Sequence, residues 1–467
     1  MSARRATRRA PARQGARARA VVLVLLVLGL AGSLVVLLTA NEPPADGEAA
    51  PERTPVERIA LACPTARSAS TVTVGALPLP DIDPGPVDGL EVLGEALPIG
   101  RPGVLEAELP RTGPAEERAA LVRGEGAAAP GLTATVAATS PRLSAARCTA
   151  PASRRWFTGA GGGVEHASTL ELVNPEEGPA VVSVTVLGAE GPVETAGVRE
   201  ISVPAGGRVE VDLAEVAPAT GELAVGVRTT RGRVGVAVRD RLGPPGTRPA
   251  EDLLPGQERP RRTTVLAGLP TGADEHLLLM ANPGDDEVVA VVSVVGPGGT
   301  FTPAEGAELV VPPGTVRTLD VGGEIGAEVA ALRVEATGPV VGTVRSRAGA
   351  DITYAPVARD LGRRAALALP AGVAAVLQLS SDSEEGEVEV VTFDADGTEI
   401  GRGDVVVPAA GTIAVDLPPR ARLVRVSPGA TTVRGAVALT SDAGVATLPL
   451  DRLVTRVAEP DVRPAVR

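Results

Sequence analysis

The chain reads as an all-β protein, with tandem β-sandwich repeats carried behind a single N-terminal transmembrane helix. Three observations predict this. One uncharged apolar run lies close to the N-terminus, the body consists of short valine-rich stretches separated by Pro-Gly turns, and an ordered set of such stretches recurs past residue 150.

The apolar run at 20–39 reads AVVLVLLVLGLAGSLVVLLT; 14 of its 20 residues are Leu or Val and none is charged. A helix of that length, at about 1.5 Å per residue, matches the roughly 30 Å of a bilayer core. Seven arginines and no acid occupy residues 1–19. The positive-inside rule then predicts a basic cytoplasmic tail at 1–19, a transmembrane helix at 20–39 and an extracytoplasmic body. A cleaved signal peptide is the rival reading, and would release the body by secretion. Its apolar region is usually shorter, about 7–15 residues, and ends in an A-x-A-like site, whereas Leu38 stands two residues before Ala40.

Residues 40–59, rich in Pro, Glu and Ala, read as a disordered stalk. Next comes a β domain at 60–149, with stretches such as TVTVGAL and LTATVAA, bracketed by Cys63 and Cys148. These are the chain's 2 cysteines. An isolated pair in an exported chain predicts a disulfide, which would add roughly 4–5 kcal/mol in the loop-entropy model.

Three repeats follow, at 150–259, 260–361 and 362–456, with a short tail at 457–467. Each opens with paired arginines: Arg154-Arg155, Arg261-Arg262 and Arg363-Arg364. Then come LELVNP, LLLMANP and LQLSSD; VVSVTVLG, VVAVVSVVG and VEVVTFD; and a strand ending in a turn, ISVPAGG, LVVPPG and VVVPAAG. RVEVDL, TVRTLDV and TIAVDL come next, and two more strands close each unit. In the first repeat Val182, Val184 and Val186 alternate with Ser183, Thr185 and Leu187, the period-two pattern of a half-buried strand. A period near 100 residues is too long for a solenoid unit or a propeller blade and suits a whole β-sandwich. The 60–149 domain matches this pattern poorly and reads as a divergent fourth member.

The run Cys148-Thr149-Ala150-Pro151, then Trp156-Phe157-Thr158-Gly159-Ala160-Gly161-Gly162 and LELVNP, resembles an actinobacterial family of membrane-anchored secreted proteins of unknown function. The resemblance implies a place in the cell envelope and assigns no activity. The repeats also resemble immunoglobulin-like bacterial surface modules, which implies immunoglobulin-like sandwiches.

Composition narrows the chemistry. Aromatics make up 1% of the chain, so the cores must be built from Val, Leu and Ala. After residue 19 there are 57 acids against 38 arginines, and no lysine occurs. So acidic a body argues against nucleic acid as a partner. His166 and His276, the 2 histidines, precede repeat strands and read as strand-edge polar residues. Asp394-Ala395-Asp396-Gly397-Thr398-Glu399 resembles the start of a calcium loop, but a hairpin turn explains Asp-Gly better. Arg402-Gly403-Asp404 spells an adhesion tripeptide that chance accounts for in this composition. Trp156-Phe157 beside a glycine run is the aromatic cluster, either a possible binding surface or a plug between domains.

The sequence therefore predicts no catalytic, cofactor or metal residues. It predicts a non-catalytic envelope protein, held in the membrane through residues 20–39, that serves as an extracytoplasmic spacer or protein-interaction platform. The alternative is a cell-wall glycan-binding module using Trp156 and Phe157. The expected partner is an envelope protein or glycan.

Overall fold

The computed structural model describes residues 53–458, apart from 66–67, 78–88, 97–102, 110–118, 196, 304–306 and 326–327. The basic tail 1–19, the apolar run 20–39, stalk residues 40–52 and tail residues 459–467 lie outside the described residues. No helix of the described residues is long and apolar enough to cross a membrane. The end of the expected stalk is ordered. Arg53–Pro55 and Arg58–Ala62 are strands, because Val56, at 6% exposure, and Leu61 bury apolar surface that the Pro/Glu-rich composition obscured.

The all-β class is what the structure has. Between residues 58 and 449 the chain builds four modules of one design, each with eight principal strands in two antiparallel sheets. The fourth module shows it most plainly. Glu399–Val407, Gly386–Phe393, Leu423–Pro428 and Ala365–Ala368 form one sheet; Thr412–Asp416, Ala374–Ser381, Val433–Ser441 and Gly444–Pro449 form the other. Numbered along the chain, the orders are 4-3-6-1 and 5-2-7-8. Leu367, Leu377, Val390, Val424, Val437 and Leu448 meet from both sheets in one core. The second module (154–253), the third (261–355) and the first (58–147) repeat these orders. In the third, strands six and seven are one bent strand, Ala331–Ala348, shared between the sheets.

Two expectations need correction. The strand order is not that of an immunoglobulin domain, in which the first, second, fifth and fourth strands share a sheet. Here a Gly- or Pro-rich segment at or just past the end of the first strand (GAGGG at 159–163, AGLPTG at 267–272, ALPAG at 368–372) carries the chain across to the facing sheet, so the second strand pairs with the seventh. Secondly, the long period does not exclude a propeller-like layout, because each repeat supplies two sheets. The domain that matched the repeats poorly shares their strand order. Its third and fourth strands, Leu90–Val92 and Glu95–Ala96, are too short to show the valine pattern.

The modules close into a ring. Ala62 and Leu121 of the first meet Val173 of the second. Leu187 and Ala224 of the second meet Ala281, Val316 and Val341 of the third. Val265, Val295 and Ala331 of the third meet Ala436 of the fourth. Ala366, Ala368, Phe393 and Leu423 of the fourth pack on Leu77 and Val104 of the first, which completes the circuit. The eighth strands (Ser144–Arg147, Ala250–Leu253, Asp351–Ala355 and Gly444–Pro449) neighbour one another in the same cyclic order and form the hub.

The repeated Asn-Pro step is a clamp. Asn282 is 1% exposed; its Nδ2 donates to the carbonyls of Asp286 (2.7 Å) and Val311 (3.0 Å), and its Oδ1 accepts from Gly284 N–H (3.0 Å). Asn174 bonds Gly178, Val203 and Glu176 in the same way. In the fourth module Ser381 stands there and donates to Glu384 O. Asn282→Ala should therefore lower unfolding stability by about 2–3 kcal/mol, since it leaves buried backbone groups unpaired. Asp285→Ala in the exposed part of the same turn should leave the denaturation midpoint almost unchanged.

Candidate functional site

The segments that connect the modules converge at one end of the hub. They wall a cavity of about 470 Å³, lined by the first, second and fourth modules and by Pro356, Val357, Arg359 and Asp360 of the segment that follows the third. Cys63 and Cys148 line it, joined by a disulfide that ties the end of the first strand to the segment after the eighth. Phe157 lines it too, from beneath: the ring is 2% exposed and belongs to the second module's core.

Trp156 points the other way. Its backbone pairs with Gln257, N–H to O at 2.7 Å and O to N–H at 2.8 Å. Its half-buried indole packs among Leu187, Ala281 and Val316 at the junction of the second and third modules. Gly226 leaves room for it, since a Cβ there would stand 2.6 Å from the ring. Trp156 and Phe157 are thus back to back, as neighbours on a strand must be. They do not form an exposed aromatic face; the expected plug between the first two outer domains is also not what is seen, since Trp156 packs between the second and third modules and Phe157 in the core of the second.

The polar wall of the cavity consists of paired charges. Glu258 Oε1 accepts from Arg359 Nη1 at 3.0 Å and Arg155 Nη1 at 3.5 Å. Arg147 and Asp451 approach to 3.1 Å. Burial pushes Glu258 toward its neutral form, but the two guanidiniums outweigh it and hold the carboxyl below its ordinary range. Burial, with Arg359 nearby, lowers Arg155. Among the described residues, neither histidine lines this cavity. Its chemistry is that of charged, partly solvated walls able to hold a polar segment by ion pairs.

The histidines lie elsewhere. Asp240, 0% exposed, accepts from Tyr354 OH (2.6 Å), His166 Nε2 (3.0 Å) and Ser168 Oγ. Ser168 in turn accepts from Gly161 N–H at 2.8 Å. Glu222 receives Arg345 Nη2 at 2.8 Å and lies 3.7 Å from His166 Nδ1. Tyr354 and Arg345 come from the third module and the other five from the second, so the network latches the two. Burial opposes charge on His166, yet Asp240 and Glu222 raise its pKa above the usual value. Burial, then Asp240, drives the Tyr354 hydroxyl well upward. A serine, a histidine and an aspartate are in contact, but a nucleophilic triad needs the histidine between the other two. Here the carboxylate occupies that middle place and receives both, so the group is a positioning network. Sequence reading missed it, because Tyr354 and His166 lie 188 residues apart. The one available signal was that histidine and tyrosine are so scarce in this chain. His276 is separate, buried against Ser346 Oγ at 2.8 Å, and burial lowers its pKa.

The remaining motifs resolve into structure. Asp394–Glu399 spans a hairpin turn in which Asp394 Oδ1 accepts from Asp396 and Thr398 N–H. Arg402-Gly403-Asp404 lies within the strand Glu399–Val407, with Arg402 bonded to Glu399 and Glu389.

A closed ring of β modules, with charge-paired walls at its hub, places the chain among all-β proteins of propeller-like arrangement. The chain belongs to the family of unknown function DUF5719, which matches residues 111–418, more than half of it. The match begins inside the first module and ends inside the fourth. No curated protein matches the sequence.

Two acids in the hub set a pH dependence. Asp351 and Asp252 are each 2% exposed. Burial raises Asp351 to about 6 against the backbone N–H groups of Val445 and Ile352, and raises Asp252 well above its usual value. The unfolded chain releases these protons near 3.8 while the folded chain keeps Asp351 protonated to about 6, so stability falls as pH rises through that window. Asp351→Asn should gain thermal stability relative to wild type as pH is raised from about 4 to about 7, read as a widening gap in melting temperature.

Proposed function

We propose that the protein is a non-catalytic, membrane-anchored component of the cell envelope whose four-module ring is an extracytoplasmic protein-interaction platform. Residues 20–39 hold it in the membrane, residues 1–19 remain cytoplasmic, and residues 40–52 join the anchor to the ring. The observation that carries the platform is the closed circuit of buried junctions, from Ala62–Val173 round to Leu77–Leu423. A ring locked in this way adds little reach for its length, so it serves poorly as a spacer. It presents a broad surface of fixed shape, which suits recognition. The arginines before residue 20 and the disulfide both support an extracytoplasmic body. The resemblance at 148–175 supports an actinobacterial envelope. The glycan reading finds little support, because its rings are a core residue and an interdomain plug.

Protease added to intact spheroplasts should degrade the ring while an epitope at the N-terminus stays protected until lysis. A protected ring with an accessible N-terminus would overturn the topology, and with it the envelope role.

A further inference from the structure

The edge of the fourth module departs from its counterparts. Its fourth strand, Glu399–Val407, runs for 9 residues at the rim of its sheet, with no strand beyond it among the described residues. Elsewhere this edge is short or broken: Glu95–Ala96 in the first module, Gly191–Pro192 and then Ile201–Val203 in the second, Gly299–Phe301 and then Glu308–Val311 in the third, each of 2 to 4 residues. Short edges of that kind are how soluble proteins avoid pairing with other chains. The long one contains no proline, so it can supply outward backbone donors and acceptors along its length. Arg402, Gly403 and Asp404 are exposed, and Val406 is 51% exposed.

We propose that this edge joins a second copy of the chain, strand to antiparallel strand, about a two-fold axis through Gly403. A two-fold interface must be self-complementary, with residue i facing j and j facing i. Antiparallel pairing centred on Gly403 sets Arg402 opposite the other copy's Asp404, and Asp404 opposite its Arg402. Both are exposed on the same face of the strand, where directly opposed unlike charges stabilise. Bonds to Glu399 and Glu389 already hold the Arg402 guanidinium on the strand. At the axis Gly403 leaves open space, with no atom within 4 Å of where a Cβ would be. The tripeptide that chance explains as an adhesion motif is thus a charge palindrome at the centre of an unpaired edge. The inference names a partner for the platform and rests on that reading only for its cellular setting. The pairing itself follows from the strand.

The test uses the full-length chain with Gly403→Cys. The native cysteines are bonded to each other, so the new thiol is the single free one. Opposed across the axis, two such thiols should join on air oxidation into a dimer on non-reducing gels. Gly178→Cys, at an exposed turn with equal room, should not. On the Gly403→Cys background, Asp404→Arg or Arg402→Asp should each lower the linked fraction about ten-fold, by setting like charges opposite. Mixing those two chains should restore linkage as a heterodimer. Linkage no better at Gly403→Cys than at Gly178→Cys, or indifferent to charge reversal, overturns the proposal; an edge that takes other extended segments instead would give that result. A ring protected from protease in spheroplasts, with linkage of the purified chain intact, would sink the envelope reading and leave the edge pairing standing.

Discussion

A strand that is buried on both faces needs a cover on each side, and the second strand of every module is of this kind. Leu170 and Leu172 face the core of their own module, while Glu171 and Val173, each 3% exposed, face away from it and are still buried. Leu278 and Met280 likewise face inward, with Leu279 and Ala281 buried behind them. The facing sheet covers one side, and the other side is covered by a neighbouring module. Four modules with this requirement, each covered by the one before it, leave no unsatisfied face when the fourth covers the first. With so few aromatic rings, the added apolar burial at the four junctions supplements cores made of small side chains.

One position on that outward face shows how similar modules keep their order. Glu171 accepts from the backbone N–H and the hydroxyl of Thr65 in the first module, with Arg208 and Arg239 close by. Burial nonetheless raises its pKa. At the matching place Leu279 packs on Gly159, and Gln378 bonds Gly268 N–H and Leu269 O of the third module. An ionisable group, a hydrocarbon and an amide make three junctions that cannot be exchanged, since each would leave the wrong atoms buried. The Asp240 network does the same service on the far side of the second module, where Tyr354 enters a core built by another repeat.

The strands and their recurrence were legible in the sequence, because alternation and Pro-Gly turns are local signals. So was the Cys63–Cys148 pair, in a chain with no other thiol. The sheet order was not, since 4-3-6-1 and 5-2-7-8 use the same strands as an immunoglobulin sandwich and differ only in pairing. The ring was written faintly. LELVNP and LLLMANP are nearly unbroken apolar runs, and a run of that type marks a strand buried on both faces. The charged hub was out of reach, because Arg155 of a module strand and Glu258, Arg359 and Asp451 beyond the module ends are far apart in the chain and meet only after closure.

The last junction joins the two most distant parts of the body. Arg422 reaches Glu106 across 316 residues of chain, and Val104 N–H donates to Ala395 O at 3.0 Å. The first three modules can each settle against the one before as the chain emerges, but Leu77 and Val104 must wait for the fourth. During synthesis an apolar face of the earliest-made module therefore stands open until nearly the whole body exists. That interval grows with chain length and exposes apolar surface to aggregation and proteolysis. A nascent chain that stalls before residue 423 would carry an uncapped ring into it.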